Sequence, residues 1–181
     1  GASVILIEKG NALGGAAVNN LVNPFMPYFT TIDGKKYDLS RGILNAGRKE
    51  ELLSALKESA PIYKKLGACG MIVLVGETIE GLSAEAQTKN VRECLEYVKD
   101  FVEKEGITLV VEPLNSIDRQ NYFMPYAAPL VEVLKQVNSP NIKMLYDIYH
   151  QNMMGDFDME FVKENIDFIG HFHVADCPGR H

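Results

Sequence analysis

Cysteines are few and scattered in this sequence. The three cysteines, Cys69, Cys94 and Cys177, lie far apart and form no CxxC pair. This spacing excludes a zinc knuckle and a disulfide framework, which both depend on paired cysteines. Thiols used in this way are typical of proteins from a reducing compartment, so we expect a cytoplasmic location.

Long apolar runs and an excess of positive charge are also missing. No apolar stretch reaches the roughly 18 residues that a membrane span requires, and the first residues, GASVILIEKG, lack the basic region and cleavage site of a signal peptide. The net charge of -6 argues against binding to nucleic acids or anionic membranes, because their phosphates attract clustered Lys and Arg. We therefore expect a globular protein that binds neither.

Apolar strands and amphipathic helices alternate from residue 49 onward. The pattern predicts strands over 71–75, 107–111, 142–146 and 168–175, and helices over 49–66, 84–105, 126–137 and 159–165. Pro61 interrupts the spacing of the first helix. Continuous apolar strands of this kind indicate a parallel sheet covered on both faces, as part of either a barrel or an open doubly wound sheet. In both folds, ligands bind at the carboxyl ends of the strands.

The first 47 residues follow a different pattern. The apolar run Ser3–Ile7 predicts a short buried strand, and Asp33-Gly34 between two β-prone runs predicts a hairpin. The composition changes near Arg41–Arg48. We therefore predict two regions, a short N-terminal β segment over residues 1–47 and an α/β unit over residues 48–181.

Polar side chains follow the predicted strands. Glu112 and Asp147 each come directly after an apolar strand, His150 follows Asp147, and His173 lies near the end of the last strand. Taken singly, each has an ordinary structural explanation as a solvated strand end, a cap or a hydrogen-bonded core histidine. Taken together, two carboxylates and an imidazole about one βα unit apart can converge, and they suit Mn²⁺, Mg²⁺ or Co²⁺ better than a thiolate-seeking ion.

Five segments carry a resemblance to a known family. They are IVLVGETIEGLS (72–83), KEGITLVVEPLN (104–115), VEPLNSID (111–118), LYDIYH (145–150) and GHFHVADCPGRH (170–181). In this order they resemble the hydroxypyruvate isomerase and ketose 3-epimerase group of xylose-isomerase-like TIM barrels, over residues 48–181. The resemblance implies a partial (β/α)8 TIM barrel of about four parallel βα units, with a short unrelated β segment before it.

The resemblance also implies a role for each candidate residue. It makes Glu112, Asp147 and His173 ligands of a divalent metal (Mn, Mg or Co), and gives Glu112 the acid/base role. It places His150, Arg180 and Asp118 at the substrate, with Asp118 supporting Glu112. The implied activity is that of an isomerase or epimerase that moves a proton beside the carbonyl of a small sugar or hydroxy-keto acid.

The sequence departs from the family pattern at its end. The family has a fourth metal ligand, a glutamate about one βα unit beyond the third, whereas this sequence stops at His181. On that basis we expect incomplete activity from this chain alone. A four-stranded sheet would also leave two unpaired edges, through which copies of the chain could associate into a homo-oligomer.

Residues 5–36 resemble a different family, the FAD-dependent oxidoreductases. In that family the acid at the strand end, here Glu8, holds the ribose hydroxyls, and the Gly14-Gly15 turn lies near the flavin. The GxGxxG loop that cradles the pyrophosphate is missing, so we do not expect FAD binding. Three readings stay open: the isomerase, an FAD-dependent oxidoreductase, and a non-catalytic α/β fragment with a residual metal site. The chain could be a fusion (a chimera), a fragment or a mis-assembled frame.

Overall fold

The computed structural model describes residues 29–32, 35–38 and 43–179, with side chains from residue 43 onward. Strands β1 (Phe29–Ile32) and β2 (Lys35–Asp38) pair in antiparallel register, with Phe29 opposite Asp38. This pairing confirms the hairpin that Asp33-Gly34 predicts. The run Ser3–Ile7 lies outside the described residues.

Helices and strands then alternate along the chain. In order they are α1 (Lys49–Leu66), β3 (Met71–Leu74), α2 (Ala84–Glu105), β4 (Leu109–Glu112), α3 (Ala127–Val137), β5 (Ile142–Asp147), α4 (Ile148–Met153), α5 (Met159–Glu164), a 3₁₀ turn (Ile166–Phe168) and β6 (Ile169–His173). Among the described helices, none is long and apolar enough to cross a membrane.

Strands β3 to β6 form one parallel sheet in the order β3-β4-β5-β6. Each strand is added beside the preceding one in the same direction, as in a barrel wall, whereas a doubly wound sheet reverses direction at a switch point. The order therefore favours the barrel over the open sheet. In the described part of the chain β3 and β6 are the edges of this sheet, and self-association through them stays a prediction.

Helix α2 shows why the alternation could be predicted. Its cap, Ser83, accepts the backbone N–H of Ala86 through Oγ at 3.2 Å, and Gly106 ends the helix with a left-handed φ of 65°. Its buried positions recur at helical spacing along one stripe: Val91, Cys94, Leu95, Val98 and Val102. Burial of this stripe against the sheet fixes the helix on the outer face of the strands.

Helix α1 has the predicted bounds and differs from the sequence-based expectation in the width of its buried stripe. It contains the exposed Pro61 and ends at Leu66. Ile62 and Leu66 belong to the apolar spacing but are 48% and 64% exposed, so the helix buries a narrower stripe than predicted. Tyr63 is the last residue of α1 that reaches the core.

Residues just before α1 pack against the sheet. The backbone N–H groups of Leu44 and Asn45 both donate to the Val75 carbonyl at 3.2 Å, and Leu44 is fully buried. The Asn45 side chain donates to the Glu77 carbonyl at 2.6 Å and to Gln87 Oε1 at 3.0 Å. The end of the N-terminal segment is therefore joined to the α/β unit by buried hydrogen bonds.

The two faces of the sheet have separate apolar clusters. One face packs under the helices in the main core, and the other carries a small cluster of Ile72, Val110 and Leu145. Side chains alternate along a strand, so Glu112 follows Val110 on this second face and Asp147 follows Leu145. The sheet thus carries both carboxylates at the carboxyl end of the same face.

Candidate functional site

Three neighbouring strands end in the residues that the sequence singles out. Glu112, Asp147 and His173 are the last residues of β4, β5 and β6, and Asp147 stands opposite His173 in the strand register. His173 Nδ1 lies 3.5 Å from Glu112 Oε1 and 3.8 Å from Asp147 Oδ2. Both carboxylates are buried, at 7% and 2% exposure. The parallel sheet therefore brings the three side chains to one point.

Asp147 has a structural contact as well as a place in this cluster. Its Oδ1 accepts the backbone N–H groups of Tyr149 at 2.8 Å and His150 at 3.4 Å, which caps helix α4. Its Oδ2 is 3.6 Å from His150 Nε2 and 3.8 Å from His173 Nδ1. The cap thus holds the carboxylate with one oxygen directed at two imidazoles.

Asn115 contacts the His150 ring at Nδ1. The Asn115 side-chain nitrogen lies 2.6 Å from His150 Nδ1, and the Asn115 backbone N–H donates to the same ring nitrogen at 3.3 Å. Asn115 is fully buried and His150 is 3% exposed. The ring therefore presents Nε2, and not Nδ1, to the carboxylates.

Asp118 lies behind Asn115 and lines the same cavity as the cluster. Its Oδ2 accepts from Asn115 Nδ2 at 3.0 Å and from the Tyr149 hydroxyl at 2.8 Å. Sequence reasoning missed both Asn115 and Tyr149. Asn115 had one usable signal, since an Asn shortly after a strand often forms a local turn with its side chain, whereas Tyr149 had none.

A cavity of about 230 Å³ opens beside these groups. Its lining combines an apolar wall with titratable side chains: Ile72, Leu74, Glu112, Leu114, Asp118, Arg119, His150 and His173. Arg119 is the one side chain with a guanidinium group in this described lining. A small polar molecule of a few carbons suits a cavity of this size and character.

His171 lies on the same strand as His173 but away from the carboxylates. Its ring makes an edge contact with His173 at a centroid distance of 5.2 Å, and its Nδ1 is 4.0 Å from the Cys69 sulfur. Burial, followed by the charge of the neighbouring His173, lowers the pKa of His171, which Glu112 raises in part. His171 is therefore a neutral neighbour of the cluster at physiological pH.

The donor atoms fit a divalent cation. One ligand atom each from Glu112, Asp147 and His150 lies within 4.8 Å of the others. His173 Nδ1 lies 3.5 Å and 3.8 Å from oxygens of the same two carboxylates. Two carboxylate oxygens with an imidazole nitrogen form a set that binds Mn²⁺, Mg²⁺ or Co²⁺. Arg180 and Glu8, the other two predicted site residues, lie outside the described residues.

Comparisons with known proteins agree with this geometry. A family model described as xylose isomerase-like TIM barrel matches residues 29–181. The hydroxypyruvate isomerase of Escherichia coli K12 is 31% identical over 134 residues, which cover 74% of this chain and 52% of that protein. The chain spans about half the length of the curated relatives it matches.

Solved structures share the fold. A protein from Brucella melitensis named AP endonuclease, family 2, superposes with a TM-score of 0.68 at 27% identity, over 76% of this chain and 53% of that one. A D-psicose 3-epimerase crystallised in the presence of D-fructose gives a TM-score of 0.60 at 22% identity, over 75% and 49%. The family match begins at residue 29, within the segment 5–36, and the comparisons lend no support to an FAD-dependent oxidoreductase.

Proposed function

The chain belongs to the xylose isomerase-like TIM barrel family, and from this premise we propose that its cavity is the substrate site of an isomerase or epimerase. The substrate class is a small hydroxy-keto acid or ketose. The observation that carries the proposal is the convergence of Glu112, Asp147 and His173 at the ends of neighbouring strands, with His150 from helix α4, beside one cavity. The similarity to a hydroxypyruvate isomerase supports the same reaction class.

The chemistry needs a base at a carbon beside a carbonyl. Glu112 serves as this group: its carboxylate lines the cavity and is nearly buried, and it can take a proton from one carbon and return it to the neighbouring one. In an epimerase, a second acid/base group on the other side of the substrate would deliver a proton to the opposite face of the same carbon. His150 faces the cavity through Nε2 and can donate a hydrogen bond to the substrate oxygen on which negative charge develops.

Glu112, Asp147 and His173 are the residues that would hold a divalent cation, with Mn²⁺, Mg²⁺ and Co²⁺ as the candidates. When bound, such an ion polarises the carbonyl and stabilises the enediolate charge as a Lewis acid. Asp147 is positioned for this role by the cap that fixes its other oxygen on Tyr149. The family resemblance adds a glutamate one βα unit beyond His173 as a further ligand.

Arg119 bears on the choice between the two substrate classes. It lines the cavity together with Glu112 and Asp118, and it supplies a positive charge among groups that are otherwise anionic or neutral. A substrate carboxylate would pair with this guanidinium, whereas a neutral ketose would gain less from it. Arg119 therefore favours the hydroxy-keto acid.

DNA is the substrate suggested by the name of the Brucella melitensis structure. Backbone phosphates are bound by several cationic side chains at once. The cavity has two carboxylates and one arginine in its described lining, and the whole chain has a net charge of -6. A small hydroxy-carbonyl compound fits these charges better than a nucleic acid.

The experiment that tests the proposal follows proton abstraction directly. The chain is incubated in deuterated water with Mn²⁺ and either hydroxypyruvate or D-psicose, and loss of the proton beside the carbonyl is followed by NMR. We expect exchange above the protein-free background with wild type. In Glu112→Gln the exchange rate should fall by about 10²-fold or more, because the base is gone.

Glu96→Gln provides the matched control. Glu96 lies on the exposed side of α2 and pairs only loosely with Arg92, at 3.8 Å. The control should exchange deuterium at the wild-type rate. If Glu112→Gln retains the wild-type rate with both compounds, Glu112 is not the base. If wild type with Mn²⁺ gives no exchange above background, the proposed activity is wrong for this chain.

A further inference from the structure

We propose that Asn115 is a positioning residue that fixes the ring tautomer of His150, so that His150 presents Nε2–H to the cavity as a hydrogen-bond donor. In that state the imidazole ligand of the cation is His173. The inference rests on the proposed function for its catalytic meaning, while the tautomer itself can be measured without activity. The tautomer determines which of two imidazoles can bind the cation. Distance alone does not, because His150 Nε2 lies 3.6 Å and His173 Nδ1 lies 3.8 Å from Asp147 Oδ2.

The turn after β4 fixes the orientation of the Asn115 amide. Its Oδ1 accepts the backbone N–H groups of Ile117 at 3.1 Å and Asp118 at 2.7 Å. A reversed amide would turn its own NH₂ group toward these two donors. The turn therefore fixes Oδ1 on the backbone and leaves Nδ2 as the atom that faces His150.

The orientation of the Asn115 amide determines which nitrogen of the His150 ring carries the proton. Two N–H groups, the side-chain amide at 2.6 Å and the backbone amide of Asn115 at 3.3 Å, are directed at Nδ1. A ring nitrogen surrounded by donors must offer its lone pair, and in a neutral imidazole the proton then resides on the other nitrogen. His150 is accordingly the Nε2–H tautomer.

The tautomer of His150 determines which imidazole can bind the cation. A ring nitrogen that carries a proton has no lone pair for a metal ion, so Nε2 of His150 is a donor even though it is close enough to be a ligand. His173 Nδ1, 3.5 Å from Glu112 and 3.8 Å from Asp147, takes the ligand position. The Nε2–H of His150 is left to stabilise negative charge on a substrate oxygen.

Asp118 and Tyr149 hold Asn115 in place. Asp118 Oδ2 accepts both the second N–H of the Asn115 amide, at 3.0 Å, and the Tyr149 hydroxyl, at 2.8 Å. The amide is thus bound on both of its polar atoms, and its side chain has no exposed surface. Partners of this kind orient the groups that contact a metal or substrate.

A reciprocal exchange tests the polarity of this network with nearly constant shape. In the double variant Asn115→Asp/Asp118→Asn, residue 115 still accepts the Ile117 and Asp118 backbone N–H groups with one oxygen. Its other oxygen now faces His150 Nδ1 as an acceptor, which calls for a proton on that nitrogen. We expect the tautomer of His150 to reverse to Nδ1–H, and the deuterium exchange rate to fall by about tenfold or more, as for loss of an aligned hydrogen bond.

The readout is a long-range ¹H–¹⁵N correlation spectrum of protein labelled with ¹⁵N-histidine, recorded without metal near pH 8, above the ordinary imidazole pKa of about 6.5. The sequence has four histidines, and His150→Gln assigns the signal. Asn152→Asp, an exposed position on helix α4, is the control for a carboxylate placed elsewhere near His150 and should leave the His150 pattern unchanged.

Four outcomes are distinguishable. An Nε2–H pattern in wild type that reverses in the double variant supports the proposal, whether or not the wild type exchanges deuterium. An Nδ1–H pattern in wild type overturns it, and this result needs no variant to fold. A wild-type pattern that survives unchanged in a folded double variant also overturns it, because the Asn115 side chain would then not control the ring. Absence of exchange in wild type counts against the proposed function alone.

Discussion

One oxygen of the Asp147 carboxylate accepts the backbone N–H of Tyr149 at 2.8 Å, and the other oxygen lies 3.8 Å from His173 Nδ1. A single side chain thus begins helix α4 and contributes to the candidate metal site. The two contributions depend on different properties of the carboxylate. Capping needs only an oxygen acceptor, whereas cation binding needs the negative charge.

Replacement of Asp147 should separate these contributions. Asp147→Ala loses the cap, and we expect the free energy of unfolding without metal to fall by about 1 kcal/mol. Asp147→Asn retains an acceptor for the Tyr149 N–H and should unfold at nearly the wild-type urea concentration. Both variants should lose the stabilisation that Mn²⁺ gives to wild type, measured as the shift of the urea midpoint. An Mn²⁺ shift of wild-type size in Asp147→Asn would show that the cation does not use this carboxylate.

Replacement of the two imidazoles should affect metal binding unequally. His173→Ala removes the nitrogen ligand, and we expect the Kd for Mn²⁺ measured by calorimetry to rise by at least about tenfold. His150→Ala should leave this Kd within about threefold of wild type, because a donor nitrogen contributes little to cation binding. Glu96→Gln, on the exposed side of helix α2 and away from the site, serves as the control. The opposite order, with His150→Ala the weaker binder, would reverse the ligand assignment.

The sequence predicted those features of the fold and site that depend on residues close together in the chain. Apolar strands and helical spacing predicted the four-stranded parallel sheet. A residue that ends such a strand must lie at the carboxyl edge, so Glu112, Asp147 and His173 could be expected to converge. The consecutive strand order could not be predicted from the pattern alone, which left the barrel and the open sheet as alternatives until the family resemblance was considered.

The support behind the site could not be predicted in the same way. Asn115 and Tyr149 act through hydrogen bonds that depend on the turn after β4 and on the short helix after β5, and neither element has a long periodic pattern. Apolar spacing was also misleading at Ile62 and Leu66, which continue the stripe of α1 beyond the surface that the sheet covers. Local sequence patterns identify the side chains at the end of a strand. Contacts between loops determine how these side chains are positioned.

Gly170 should be intolerant of a side chain. A Cβ atom at this position would lie 2.7 Å from Lys143 Cβ and 3.1 Å from Val110 Cγ1, next to the register shift between β5 and β6. Neither neighbour is the free end of a flexible chain, so the strands must move apart. We expect Gly170→Ala to lower the free energy of unfolding by about 1–3 kcal/mol, measured in urea.

Gly70→Ala is the matched control for this strand contact. Its Cβ would lie 3.4 Å from Val110 Cγ2 and 3.6 Å from Val110 Cγ1, which are ordinary van der Waals distances. The control should change stability by less than about 0.5 kcal/mol. If both substitutions lower the free energy of unfolding by an equally small amount, β6 can shift relative to β5 at no cost. The register next to His173 is then not fixed by Gly170.

Arg119 should distinguish charged from neutral substrates. If its guanidinium pairs with a substrate carboxylate, Arg119→Gln removes binding that is equal in the ground and transition states. The KM for hydroxypyruvate should then rise by about tenfold while kcat stays near wild type. D-psicose, which has no carboxylate, should lose no affinity, and Arg92→Gln, whose side chain lies at the surface of helix α2, is the control for the lost charge. A parallel loss with both compounds would indicate that Arg119 supports the cavity wall, because only a direct ion pair makes the effect depend on the substrate's charge.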